Sequence, residues 1–179
     1  KEAIKQSRDV GLSLEDVHQS KTNLNTPVPA TNPDKAQIDA LIALYSRGKL
    51  NDAIERGHHL LKQFPNNHII LNVMGHIYLL LDQPKKSLTF IHKAIKIKED
   101  FAAAHNNLGN VLRALEQYSD ALSSYRRALQ INPNLIEVYN NLGIVLKNLE
   151  RYDEAEKVFT KAIMREPNYP EFHINFGNL

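Results

Sequence analysis

A short motif recurs in this chain at a constant interval of 34 residues. Residues 105–112 read HNNLGNVL, residues 139–146 read YNNLGIVL, and HINFG stands at 173–177. One interval before the first of these the chain reads LNVMGHIY at 71–78, and one interval earlier again the pattern has faded. A fixed period of this length predicts a stacked array of similar helical units, which constrains the fold more than any other feature.

Each unit is expected to contain two helices. Within a unit, apolar residues recur at helical spacing over two stretches of about a dozen residues. In the third unit we predict a first helix over 102–115, a turn over 116–118 and a second helix over 119–131, which Pro133 ends because the residue before a proline avoids the α region. The units are four full blocks and a partial fifth, at 34–67, 68–101, 102–135, 136–169 and 170–179.

Small residues recur at two positions of the block. Glycine inside a helix costs roughly 0.5–1 kcal/mol relative to alanine, so its repetition indicates a close helix crossing that needs the space. Large residues alternate with the small ones along the second helix, as expected for packing within a helix pair. The repeated small residues are Gly75, Gly109, Gly143 and Gly177 in the first helix, and Ala53, Ser87, Ala121 and Ala155 in the second.

The stretch 1–33 precedes the blocks and differs from them in kind. It lacks a sustained helical period, and its last part holds three prolines that favour extended backbone. It is predicted to be a linker, largely without repeat character. Two interpretations stay open: a tether to something upstream, or an extended segment that docks in the groove of its own array or a neighbour's.

Composition excludes several classes of protein. The chain has no Cys, so it contains no disulfide and no thiolate metal site. This fits the cytosol and the periplasm equally well. The sequence therefore does not indicate a compartment, and the cytoplasm is only the default expectation. A formal net charge of +2 is too mild to predict a nucleic-acid partner. The apolar runs are far shorter than the roughly 20 residues of a membrane-spanning helix, so membrane insertion is not expected.

The block resembles the tetratricopeptide repeat. The resemblance rests on Gly at position eight, Ala or Ser at twenty, Tyr or Phe at twenty-four, Ala at twenty-seven and Pro at thirty-two, and it covers residues 34–179. It implies an all-α fold: a right-handed α-solenoid of antiparallel helix pairs, with four full repeats and a truncated fifth. The first block departs from the pattern with Leu41 at position eight and Gly57 at position twenty-four.

In that family the first helices line a concave groove, so the resemblance also implies the residues that would contact a partner. Asn107, Asn141 and Asn175 stand one repeat apart and look like the asparagine ladder of the repeat arm of O-linked N-acetylglucosamine transferases and similar bacterial repeat proteins. An amide can pair with the backbone of an extended peptide. Alternatively, these amides bond between adjacent helices. The candidate concave residues are Asn72, His76, Asn106, Asn107, Asn110, Arg113, Asn140, Asn141, Lys147 and Asn175.

The function predicted from this groove is binding of a protein or peptide partner, as an adaptor or scaffold. The alternative is the substrate-recognition arm of a larger enzyme, such as a protein O-glycosyltransferase. No catalytic residue, cofactor or metal is predicted, because the eight histidines show no metal-ligand spacing and no phosphate loop or nucleophile elbow is present. His105 and His173 are interpreted as helix-packing residues, and His76 as a groove contact.

The last half-repeat is expected to expose apolar side chains. Phe172 and Phe176 stand on it with no following helix in the sequence, and uncapped arrays tend to associate. Self-association through this C-terminal end is therefore predicted.

Overall fold

The computed structural model describes residues 32–179, so the predicted linker over 1–33 lies almost wholly outside the described residues. Within that range the chain is helical and contains no strand. The helices alternate between a first and a second member of each pair, and the ninth begins a further pair. They are α1 Lys35–Ser46, α2 Leu50–Gln63, α3 His68–Leu80, α4 Pro84–Ile97, α5 Ala102–Ala114, α6 Tyr118–Ile131, α7 Ile136–Asn148, α8 Tyr152–Arg165 and α9 Pro170–Gly177.

The turn inside each pair has the same backbone conformation in all four pairs. Gly48, Asp82, Glu116 and Glu150 adopt the left-handed region, with φ between 55° and 71°. The N–H of the residue that follows each one bonds back to a carbonyl near the end of the first helix, for example Gln117 to Leu112 at 2.8 Å. This is the Schellman arrangement, which satisfies the last helical carbonyls and reverses the chain.

Because the turn is compact, the helix boundaries in the third pair differ from the predicted ones. Tyr118 was placed in the turn by its position, but it is the first residue of α6, and α5 ends at Ala114. The reversal at Glu116 needs only the residues around it, so the second helix begins at once. Pro84 is the first residue of α4, where its missing N–H costs nothing.

The first helices pack against one another along the array. α1 contacts α3, α3 contacts α5, α5 contacts α7 and α7 contacts α9, whereas successive second helices make little direct contact with each other in residues 32–179. Each second helix lies instead on its own first helix and on the first helix that follows. The first helices therefore form the closely packed inner side of the array, and the second helices form the outer side.

Glycine and a large side chain meet inside each pair. A Cβ added to Gly109 would lie 2.5 Å from a ring carbon of Tyr125, and one added to Gly143 would lie 2.3 Å from Phe159. Gly75 meets Ile91 in the same way. The predicted close crossing is present because these large side chains occupy the space that a Cβ would need.

In the first pair the large and the small residue of this contact have changed places. Leu41 stands where the other first helices have glycine, and it is fully buried. Gly57 stands where the later second helices have a large side chain, and the sulfur of Met74 fills the space beside it. The departures of the first block from the repeat pattern are therefore compensating differences within one core.

At the C-terminal end of the array, one of the two phenylalanines predicted to be exposed is buried. Phe172 is fully buried, because it joins the core formed by α6, α7 and α8 and packs against Tyr169 with ring centroids 4.6 Å apart. Phe176 is exposed as expected, and Ile174, at position five of the same helix, is exposed as well. Within residues 32–179, no side chain or neighbouring helix comes within 4 Å of the Cβ position of Gly177, unlike its equivalents in α3, α5 and α7.

Candidate functional site

Asparagine side chains join successive first helices on the inner side of the array. In each case the amide nitrogen of an asparagine at position six donates to the amide oxygen of an asparagine at position five of the preceding block, 35 residues earlier. The same bond recurs at three successive interfaces. The pairs are Asn107 to Asn72 at 2.9 Å, Asn141 to Asn106 at 3.4 Å and Asn175 to Asn140 at 2.7 Å.

Three of these amides are shielded from solvent. Asn72, Asn106 and Asn107 have relative exposures of 8%, 9% and 7%. Their side chains therefore have partners in neighbouring helices and little free surface, as expected of the inter-helix role that the sequence left open. Asn140, Asn141 and Asn175 are half-buried.

A second set of bonds connects the middle of the row to the core. The hydroxyl of Tyr125 donates to Oδ1 of Asn110 at 2.7 Å, and Nδ2 of Asn141 donates to the same oxygen at 3.1 Å. Burial raises the pKa of Tyr125 to about 12, an effect that the neighbouring Arg113 guanidinium opposes. Tyr125 therefore remains a protonated donor, and the Nδ2 of Asn110 is left for another acceptor.

Cationic side chains border the C-terminal part of the row. Lys147 is half-buried and its ammonium donates to the backbone carbonyl of Asn178, the residue after α9. Arg113 is half-buried, and its Nε is buried without a hydrogen-bond partner among residues 32–179. This part of the inner surface combines amides with two positive charges.

The N-terminal part of the inner surface is apolar and aromatic. His76 lies against the ring of Tyr45, with centroids 5.5 Å apart, and burial lowers its pKa below the ordinary value of 6.5. Ile38 and Val73 stand at the positions that carry the asparagine pair in the three later interfaces. The amide row therefore stops at α3.

His105 and His173 have structural contacts. The Nε2 of each histidine lies within 2.8 Å of the backbone carbonyl six residues earlier, that of Glu99 or Pro167. In the intervening block the hydroxyl of Tyr139 donates to the carbonyl of Pro133 at 3.0 Å. Position four thus ties each of these first helices to the loop that precedes it. Residues 32–179 contain no group of three His, Asp or Glu that could hold a metal ion.

Among the clefts on the outer side of residues 32–179 are two that lie between successive second helices, which the concave pattern of the repeat does not predict. One lies between α4 and α6 and the other between α6 and α8, with volumes of about 380 and 450 Å³. The signal available in the sequence was the basic residue at position twenty-six of three successive second helices, Lys93, Arg127 and Lys161. Such a charge run is ordinarily a solvated face, and only the structure shows that it borders a cleft.

Two family models, both described as tetratricopeptide repeat, match the sequence at residues 69–101 and 100–163. Together they span more than half of the chain, and the contacts of Gly75, Gly109 and Gly143 with the large side chains opposite them lie within these ranges. The chain belongs to the tetratricopeptide-repeat family. None of the curated proteins matches its sequence.

Solved tetratricopeptide-repeat structures share this fold. PilF of Pseudomonas aeruginosa has 21% identity and a TM-score of 0.75, covering 80% of this chain and 65% of that one. TTC0263, a thermophilic repeat protein in Thermus thermophilus, has 20% identity and a TM-score of 0.72, covering 90% and 85%. YrrB, described as having an unusual peptide-binding site, has 23% identity and a TM-score of 0.65, covering 90% and 79%.

No helix within residues 32–179 has the length and apolar character needed to cross a membrane.

Proposed function

We propose that this tetratricopeptide-repeat chain binds an extended segment of a partner protein along its inner surface and acts as an adaptor. The observation that carries the proposal is the row of amides along the first helices. Asn110, Asn140, Asn141 and Asn175 are only half-buried, so each keeps amide atoms in reach of the groove. An amide offers both donors and acceptors, which suits the N–H and C=O groups of an extended peptide.

The inner surface also favours one kind of segment. Its N-terminal part is apolar around Tyr45, His76 and Val73, and its C-terminal part adds the charges of Arg113 and Lys147 to the amides. A bound segment would place apolar side chains against α1 and α3, and polar or acidic ones against α5 and α7. YrrB, whose described peptide-binding site belongs to a protein of the same fold, agrees with this use of the repeat.

The experiment is a peptide-display selection against the chain, followed by affinity measurements on groove variants. Ala103→Arg and Ile144→Arg place a long cation at half-buried positions two and nine of the inner surface. Thr89→Arg and Ser123→Arg are matched controls at exposed positions of second helices. Loss of binding in the first two variants only is the expected result, and equal binding by all four would overturn the proposal.

The alternative assignment makes the same groove the substrate-recognition arm of a larger enzyme, such as a protein O-glycosyltransferase. This alternative is motivated by the asparagine side chains that stand one repeat apart, as in the resemblance to the repeat arm of such transferases. The parent protein decides between the two roles: a transferase domain on the same polypeptide supports the arm, and its absence supports the adaptor.

We also propose that copies of this chain associate through α9. Ile174 is 60% exposed and Phe176 is 37% exposed, on a helix whose Gly177 has no covering side chain among residues 32–179. Apolar faces of this kind are covered in repeat arrays by a neighbouring helix. Light scattering over a concentration range tests this, with Ile174→Lys/Phe176→Lys as the variant expected to stay monomeric. A wild-type chain that is monomeric throughout contradicts it.

A further inference from the structure

The two clefts of the outer side are the same feature repeated. Every residue that lines the first cleft has a counterpart 34 positions later that lines the second. The first cleft is lined by His92, Ile95, Lys96, Glu99, His105 and Arg127, and the counterparts in the second are Arg126, Leu129, Gln130, Pro133, Tyr139 and Lys161.

Each cleft has an apolar floor and a basic rim. Ile95 forms the floor of the first cleft, and Leu129 with Val158 forms that of the second. Exposed cations stand around them, and the second cleft has no acidic residue in its lining among residues 32–179. The rim cations are Lys96 and Arg127 in the first cleft, and Arg126, Lys157 and Lys161 in the second.

The clefts are joined at α6. Arg126 lines the second cleft and Arg127, the next residue, lines the first, so adjacent side chains of one helix reach to opposite sides. The ion pairs within residues 32–179 are those of Glu154 with Arg126 and Arg151, and the charge of Lys157 also helps to lower the pKa of Glu154. Arg127 and Lys161 form no ion pair within this range. A mainly basic surface therefore runs across both clefts, with Glu99 as the one acidic residue in the lining of the first cleft among residues 32–179.

The second cleft already has one carboxylate at its edge. Glu154 accepts from Arg126 at 3.0 Å and also pairs with Arg151. Two further cations, Lys161 and Arg165, lie over the ring of Tyr139 at 5.8 and 5.3 Å from its centroid. A surface with this charge is complementary to carboxylates, and the aliphatic floors are complementary to a side chain such as leucine.

We infer that the outer clefts bind an acidic segment of a partner protein, with carboxylates on the rims and one apolar side chain in each cleft. A nucleic acid fits less well, because the ring of Tyr139 in the second cleft is 3% exposed and cannot stack on a base. Neighbouring helix pairs lie roughly 10 Å apart, and an extended chain advances about 3.3 Å per residue. A repeat of three to four residues in the segment would therefore match the two clefts.

Fluorescence anisotropy with a labelled peptide of three Glu-Glu-Leu-Gly units tests this surface. The variant Arg127→Glu/Lys161→Glu reverses one equivalent charge in each cleft and keeps the Arg126 ion pair. Lys85→Glu/Lys93→Glu makes the same change in net charge at exposed lysines that line neither cleft. We expect the cleft variant to lose at least about tenfold in affinity and the control less than about threefold.

Three results would overturn the inference. Equal losses in the two variants would mean diffuse attraction by net charge. Equal binding of a peptide with glycine in place of leucine would mean that the floors contribute nothing. Tighter binding of a twelve-nucleotide oligothymidylate, lost in the cleft variant, would assign the surface to nucleic acid. Ala103→Arg in the groove should leave the acidic peptide bound, so failure here and failure of the proposed groove are distinguishable.

Discussion

The amide of Asn107 donates to the amide of Asn72 across 2.9 Å, and both residues are more than nine-tenths buried. Removing one partner leaves the other without its bond in a place that water does not reach freely. We therefore expect Asn107→Ala to lower the free energy of unfolding by about 1–3 kcal/mol. Urea denaturation measures this, with exposed Asn148→Ala as a control expected to stay within about 0.5 kcal/mol.

The first interface of the array shows how this pair can be replaced. Ile38 and Val73 stand at the equivalent positions, and replacing both members of a buried polar pair by apolar groups can be neutral or stabilising. The double variant Asn72→Ile/Asn107→Val should therefore regain most of the stability that Asn107→Ala loses. A double variant no more stable than Asn107→Ala would show that the amides are needed for more than filling the interface.

The glycines of the first helices give a second prediction. In Gly109→Ala the new Cβ would lie 2.5 Å from the Tyr125 ring, which is fully buried and cannot move freely. Overpacking of this kind costs about 1–3 kcal/mol. Gly177→Ala is the matched control in open space, where better helix propensity should stabilise by up to about 1 kcal/mol. Equal effects in the two variants would contradict the packing role of Gly109.

The shared geometry of the turns gives a third prediction. Glu116 and Glu150 hold a left-handed backbone at φ 59° and 58°, where a side chain is strained, while Gly48 holds it without strain. Glu116→Gly should stabilise the chain by up to about 1 kcal/mol, and Gly48→Ala should destabilise it by about 1 kcal/mol or more. Thermal unfolding followed by circular dichroism measures both changes. If Glu116→Gly destabilised the chain and Gly48→Ala stabilised it, backbone strain would not be what limits the stability of the turn.

Acidification gives a fourth prediction. Burial lowers the pKa of His76, and it also lowers that of His68 with help from Lys98. As the pH falls below about 6.5, these histidines take up protons first in the unfolded chain. Their contribution to stability is therefore fully present above that pH, and it declines as the pH falls through the lower pKa of the folded state. The melting temperature should fall between about pH 7 and pH 5.

His76→Gln should reduce that pH dependence, because the buried site would no longer titrate. His92→Gln, at an exposed position of α4, is the control and should leave the pH dependence as it is in the wild type. A pH profile identical in the wild type and in His76→Gln would remove His76 as a cause.

The period of 34 residues was enough to predict the helix pairs and the glycine crossings, because both depend on positions within one repeat. It could not predict the partners of Asn106 and Asn107, which depend on how one pair is rotated against the next. Phe172 was wrongly expected to be exposed, since its neighbours in α9 face outward while it turns into the core of the preceding pair. The basic clefts were missed because charge at exposed positions does not reveal a concave surface.

The unequal packing of the two sides determines how the array can deform. Hydrogen bonds between asparagine side chains join the first helices, whereas clefts separate the second helices. Because these bonds hold successive first helices together, we expect bending of the array to change the width of the outer clefts more than the spacing between the first helices. A ligand wedged into the clefts would therefore bend the array and leave the distance between successive first helices unchanged.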